Sequence, residues 1–245
     1  MSNITEEKYL SDNTDGVRFG VLFPDFIIQE QTGFTLNKEL YTLCKKLEEQ
    51  GHKNIAQRPE LSNNSPKNVY KTLGGYQTEF DRPLTDLTAE QDNISKDDEL
   101  LLKKFQTEVL NKYINFYTKK QFPGLHPETK IPGLSDKTEL IYNSWFIRYD
   151  KDAFQLLHTH GFKLFTMVYF CKIPKNMKLI GQDLYEGTLI VTNTKSEYQG
   201  LRTANIVPEE GKIVIFPGEY PHYTLPVLSD EDRVVIVEDV YIKQY

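Results

Sequence analysis

Apolar positions change their period along this chain, and the change marks out its elements. Between Thr35 and Gln50, Leu36, Leu40, Leu43, Cys44 and Leu47 recur at three- and four-residue steps. That spacing predicts a helix that buries one stripe, with Thr35 as its N-cap. A second helix is predicted from Ser95 to about Lys119. Leu101, Phe105, Val109, Tyr113 and Phe116 keep the helical period, Ser95 supplies a cap, and Asp97, Asp98 and Glu99 suit the positive end of the dipole. From Arg58 to Ser95 the chain is rich in Asn, Ser, Pro, Thr and Gly without a sustained period. That stretch is predicted as mostly loop, either a lid over a site or a tether.

After Gly133 the pattern shifts to short β-branched and aromatic runs divided by turn residues. The clearest are Leu140–Tyr149, Phe165–Cys171, Gly187–Val191, Lys212–Phe216 and Arg233–Val237. Strands at this spacing predict a mostly β chain with flanking helices and a jelly-roll, or double-stranded β-helix, core. On this reading residues 1–135 are a helical and loop lead-in packed on the core, residues 136–245 are the core, and the whole is one structural domain. There is no internal repeat. The tail Tyr241–Tyr245 is read as an edge strand or a homodimer contact, with both left open.

Composition narrows the function classes. At 245 residues the chain can bury a sizeable core. Its net charge of -6 and pI of 5.5 come without a long basic run, which argues against bulk nucleic-acid binding. Two cysteines, Cys44 and Cys171, are poor material for a disulfide framework and are expected as buried small hydrophobes. The start Met1–Lys8 lacks a signal-peptide pattern, and no apolar run reaches the ~20 residues that span a bilayer. A soluble, cytoplasmic protein without membrane partners is expected.

The candidate chemistry lies in three of the five histidines. His158 and His160, two apart, would project from one face of a strand, and His222 follows the apolar run Ile213–Phe216 after a Pro-Gly turn. Two such histidines and one distant ligand can hold one face of a metal. Non-haem iron usually takes two histidines and a carboxylate, but imidazole also suits zinc, copper and nickel. The plainer alternative is a polar strand face that binds nothing. Arg233 opens the apolar run Val234–Val237, where a guanidinium needs an anionic partner. A dicarboxylate such as 2-oxoglutarate would meet its planar fork with two hydrogen bonds, whereas Asp230, Glu231 or Asp232 would make it an ordinary surface pair. His126 reads as a loop residue, His52 as a helix-end residue, and Trp145 as core or as an aromatic beside the site.

In order along the chain, these motifs resemble the 2-oxoglutarate- and iron(II)-dependent oxygenase superfamily in its prolyl-hydroxylase-like branch. Tyr149–His160 is similar to the approach to the first iron ligand, and Gly187-Thr188-Leu189 to a glycine-led strand between the ligand motifs. Pro208–Pro217, followed by His222 and Arg233, is similar to the distal half. A still nearer resemblance is to a group of uncharacterised bacterial and tailed-phage oxygenases. It rests on Asn143-Ser144-Trp145, His158-Thr159-His160, Val168–Pro174 and Phe216-Pro217 before His222. In that group a histidine commonly stands where relatives carry the aspartate.

The resemblance implies iron(II) on His158, His160 and His222, with 2-oxoglutarate held by Arg233, Tyr169 and Tyr149 and dioxygen as cosubstrate. The implied reaction is hydroxylation of a small-molecule or peptide or protein substrate, with succinate and carbon dioxide as coproducts. His160 in place of the aspartate leaves the site one negative charge short, a deficit that Asp150, Asp152 or Glu219 could make up. Two other readings stay open. One is a three-histidine cupin-type dioxygenase or isomerase that does not use 2-oxoglutarate, for which Arg233 and Tyr169 have no stated need. The other is a non-catalytic jelly-roll binding module.

Overall fold

The apolar runs pair into two antiparallel sheets. The larger consists, edge to edge, of β1 (Arg18–Gly20), β2 (Ile27–Gln31), β12 (Lys212–Phe216), β7 (Phe165–Lys172), β14 (Arg233–Gln244), β5 (Thr138–Tyr149) and β4 (Tyr76–Gln77). The smaller runs β11 (Arg202–Ile206), β10 (Leu189–Asn193), β13 (His222–Thr224), β6 (Phe154–His158) and β3 (Thr72–Leu73). A separate hairpin joins β8 (Leu179–Gly181) to β9 (Leu184–Tyr185). Together the two sheets form a double-stranded β-helix. This computed structural model describes residues 18–20, 27–52, 54–56, 72–80, 82–115, 138–161, 163–193 and 202–244.

Strand alternation gives the larger sheet two apolar faces. One face, with Trp145, Ile147, Val168, Phe170, Val214, Phe216, Val235 and Val237, packs on Leu189, Val191, Ala204 and Ile206 of the smaller sheet. The other, with Phe146, Tyr169, Ile213, Ile215, Val234 and Ile236, is covered by helices. Helix α1 (Asn37–Glu49) buries Leu40, Leu43, Cys44 and Leu47 there. Its N-cap is Leu36, one residue after the expected Thr35, and no side chain caps it.

Helix α2 (Lys96–Phe105) starts at Ser95 as predicted, with a full capping box between Ser95 and Asp98. It widens into a π-turn at Gln106–Leu110 and is helical again over 111–115. The rest of the predicted helix, like His126, falls outside the described residues. Arg148 of β5 ties α1 to the sheet, holding both carboxylate oxygens of Glu48 at 2.7 and 2.9 Å and Asp232 at 3.0 Å.

Some boundaries differ from expectation. The segment read as mostly loop is partly sheet, because β3 pairs with β6 and β4 with β5, and Leu84–Asp86 forms a 3-10 turn. Residues 58–71 and 81 of that segment are outside the described residues. The strand expected from Gly187 begins at Leu189, since Gly187 sits in a left-handed turn with φ +66°. The strand expected to end at Val237 runs on to Gln244 and pairs with β5 down to Thr138, so the tail prolongs a sheet strand. Cys44 and Cys171 are buried free thiols. Among the described residues no helix is long and apolar enough to cross a membrane.

Glu238, on the helix-facing side of β14, is fully buried, with Gln106 and Ser144 as its polar neighbours. Burial, and then the charge of Asp239, raises its pKa to about 8, so in the fold it is protonated at neutral pH. A carboxyl with a folded pKa above its unfolded value of about 4.3 binds more protons folded than unfolded in that window. Stability should therefore fall as pH rises from about 5 towards 8. Urea denaturation across this range should show the decline, and Glu238→Gln should flatten it and raise the midpoint at the alkaline end. An unchanged slope in the variant would assign the effect to another group.

Candidate active site

The three histidines converge because two sheet neighbours end at the same place. β6 and β13 are adjacent, and His222 stands opposite His158 in their register. His160 is not on the strand as expected. It lies two residues past the end of β6, where its backbone N–H donates to the Gly218 carbonyl at 2.8 Å. A Cβ on Gly218 would lie 2.6 Å from the Lys163 Cβ and 2.7 Å from its carbonyl oxygen, so only glycine lets the turn before β13 approach the loop bearing His160. One ring nitrogen from each histidine falls within 4.8 Å of the others.

Hydrogen bonds at the far nitrogens assign the tautomers. Nδ1 of His158 lies 2.6 Å from the Leu156 carbonyl, Nδ1 of His222 lies 2.9 Å from the Tyr220 carbonyl, and Nδ1 of His160 lies 2.5 Å from Oδ1 of Asp239. Carbonyl and carboxylate oxygens only accept, so each Nδ1 carries a proton and Nε2 is the nitrogen left to ligate. The Nε2 atoms of His158 and His160 are 3.2 Å apart. Two metal ligands at right angles and ~2.1 Å from an ion would stand about 3.0 Å apart, so the pair suits one shared cation. Burial, then the neighbouring His158 and His160, holds His222 well below the usual histidine range, which keeps it neutral and able to ligate. Trp145, buried, stacks on His160 with ring centres 5.8 Å apart.

A cation lines the same pocket without a carboxylate partner. Arg233, 1% exposed, borders it with Tyr149, Gln155, Thr224 and Val235. Its guanidinium lies 4.5 Å from the Tyr149 ring centre and 5.3 Å from that of Phe170, and Tyr149 is also its hydrogen-bond partner. Its Nε and Nη1 have no partner among the described residues. The three acids expected as surface partners are engaged elsewhere: Asp230 with Lys151, Glu231 with Lys172, and Asp232 with Arg148 and Tyr41. Two orphaned N–H groups on a buried cation fit a small carboxylate or similar anion. Tyr149 joins this group, and burial raises its pKa, so it remains a phenol.

Tyr169 does not join the site, contrary to expectation. It follows the alternation of Met167 and Cys171 onto the helix-facing side of the sheet, where its hydroxyl donates to Asn37 and its ring packs edge-on against Phe105. The ligand cluster found among the described residues includes none of Asp150, Asp152 and Glu219. Asp239 was missed. It shares the face of Arg233, Val235 and Val237, so the period of β14 carried the signal.

Residues 143–239 match the family described as "Putative 2OG-Fe(II) oxygenase". Over this stretch, about two-fifths of the chain, the protein is similar to that family. The matched stretch runs from β5 into β14 and so contains the histidine triad, Arg233 and Asp239. No curated protein matches the chain. Among solved structures it is similar to a Pseudomonas putida prolyl-4-hydroxylase, with 14% identity, TM-score 0.51, and 88% of this chain and 91% of that one covered. It is also similar to a Trichoplax adhaerens prolyl hydroxylase in complex with a hypoxia inducible factor peptide fragment, with 15% identity, TM-score 0.53, and 88% and 82% covered. At these identities the likeness establishes the fold.

Gly187 backs this pocket. A Cβ there would lie 2.7 Å from Cδ of Arg233, at a φ of +66°. Gly187→Ala should therefore lower stability by about 1–3 kcal/mol in denaturant titration, by straining the turn and displacing the arginine. Wild-type stability would mean that Arg233 can retreat freely.

Proposed function

We propose that this oxygenase hydroxylates its substrate with iron(II) and 2-oxoglutarate. In this reading His158, His160 and His222 hold the iron, and Arg233 with Tyr149 receives the far carboxylate of 2-oxoglutarate. The observation that carries it is the buried Arg233 with two unpaired N–H groups, in the pocket that His160 and His222 also line. An oxygenase without 2-oxoglutarate has no need of a desolvated cation there, and a binding module has no need of three imidazoles with converging lone pairs.

When bound, iron(II) and 2-oxoglutarate supply the oxidising chemistry, with dioxygen consumed and succinate and carbon dioxide released as a substrate C–H bond is hydroxylated. The chain's own share is physical. The three Nε2 atoms would hold the cation from one side. Arg233 neutralises and orients the cosubstrate, and its place between Tyr149 and Phe170 restricts where the guanidinium can swing. Val168, Leu189, Val235 and Val237 line the same pocket and keep water from it. The lead-in belongs to the same structural domain in this reading, since β2, β3 and β4 complete the two sheets. The substrate is a small molecule or a peptide, and the peptide-bound Trichoplax neighbour makes proline-containing peptides the first class to assay.

Anaerobic titration of iron(II) and 2-oxoglutarate into metal-free protein should give a weak visible charge-transfer band that needs both additions. His222→Ala should abolish it. Arg233→Ala should weaken 2-oxoglutarate binding roughly ten- to a hundredfold, the worth of hydrogen bonds to a charged group. Tight iron binding without a band would favour the three-histidine site acting without 2-oxoglutarate, and no metal binding would leave a binding module.

A further inference from the structure

Asp239 and the histidine triad each lack what the other has. Its carboxylate is 8% exposed, its Oδ1 lies 2.5 Å from Nδ1 of His160, and Thr166, opposite it in the β14–β7 register, donates to the same oxygen at 2.7 Å. Among the described residues no lysine or arginine pairs with it. A buried carboxylate held only by an imidazole and a hydroxyl is costly unless positive charge arrives nearby. The triad, for its part, offers three imidazoles and no anion.

We propose that Asp239 is a positioning residue for the metal and that it supplies, through His160, the negative charge that a carboxylate ligand would otherwise bring. This rests on the metal-site reading above. His158 and His222 give their Nδ1–H to neutral carbonyls two residues earlier in the chain, bonds of purely local origin. His160 instead gives its Nδ1–H to a side chain 79 residues away, and that side chain is a carboxylate. The charge is thus placed behind the very ligand that stands where a two-histidine, one-carboxylate site has its acid. A carboxylate on the far nitrogen fixes the tautomer and ring orientation and makes the ligating nitrogen more basic.

The test is cobalt(II) titration of metal-free wild type, Asp239→Asn, Asp239→Glu and His222→Ala, followed by d–d absorption, with circular dichroism confirming the fold of each. Asp239→Asn keeps the shape and an acceptor but loses the charge, and should bind the metal on the order of 10–100-fold more weakly. Asp239→Glu should recover part of the loss. Equal affinity in wild type and Asp239→Asn would reduce Asp239 to a tether for the His160 loop and overturn the proposal. Failure of wild type itself to bind would instead overturn the metal-site reading, and this one with it. Should Asp239→Asn not fold, proton NMR of zinc-loaded wild type decides. The proposal requires the His160 Nδ1–H resonance to lie furthest downfield of the three, and three alike would overturn it.

Discussion

Much of the molecule follows from the register of one strand. β14 lies between β5 and β7, paired with the first from Arg233↔Tyr149 to Gln244↔Thr138 and with the second from Val234↔Lys172 to Val240↔Phe165. Its alternation sends Arg233, Val235, Val237 and Asp239 between the sheets, and Val234, Ile236, Glu238 and Val240 under the helices. A slip of one residue would exchange every member of the two sets. The buried Arg233, the carboxylate behind His160 and the apolar floor of the helical layer are therefore consequences of a single pairing. The register shift between Val234 and Val235 is confined to the pairing with β7, which leaves the β5 ladder continuous through Arg233.

Two arginines on adjacent strands show how burial separates structure from function. Arg148 is 8% exposed and satisfied three times over, by both oxygens of Glu48 and by Asp232. It fastens α1 to the sheet and has nothing left to offer a ligand. Arg233 is more deeply buried, with aromatic rings about it and two N–H groups unanswered. Folded proteins rarely leave such groups unpaired in the interior, because each carries its full desolvation cost. The contrast sets Arg233 apart from Arg148 in a way that sequence position alone does not.

The histidine triad combines local and distant constraints. His158 and His222 orient themselves within their own strands, by bonds to carbonyls two residues back. His160 depends on the rest of the fold: on Gly218 for its backbone position, on Trp145 for a stacking surface, and on Asp239 for its tautomer. It is the histidine whose placement a mutation far away in sequence would most readily disturb.

The alternation and helical periods in the sequence were enough to determine the double-stranded β-helix, both helices, the Ser95 cap and the histidine and arginine candidates. Those features are local: a period of two or 3.6 residues, a cap, or a charged residue opening an apolar strand. Tertiary structure decided the rest. It showed which face Tyr169 takes, since parity counts only once a strand's neighbours are known, and the helix-facing side captured it. It turned part of a Gly- and Asn-rich stretch into β3 and β4, because the edges of both sheets offered unpaired backbone there. It denied Arg233 the acids beside it in sequence by giving each of them another cation, and it brought Asp239 to His160 across 79 residues. No local pattern encodes such long-range pairings, because they arise only when sheet register and turn geometry are satisfied together.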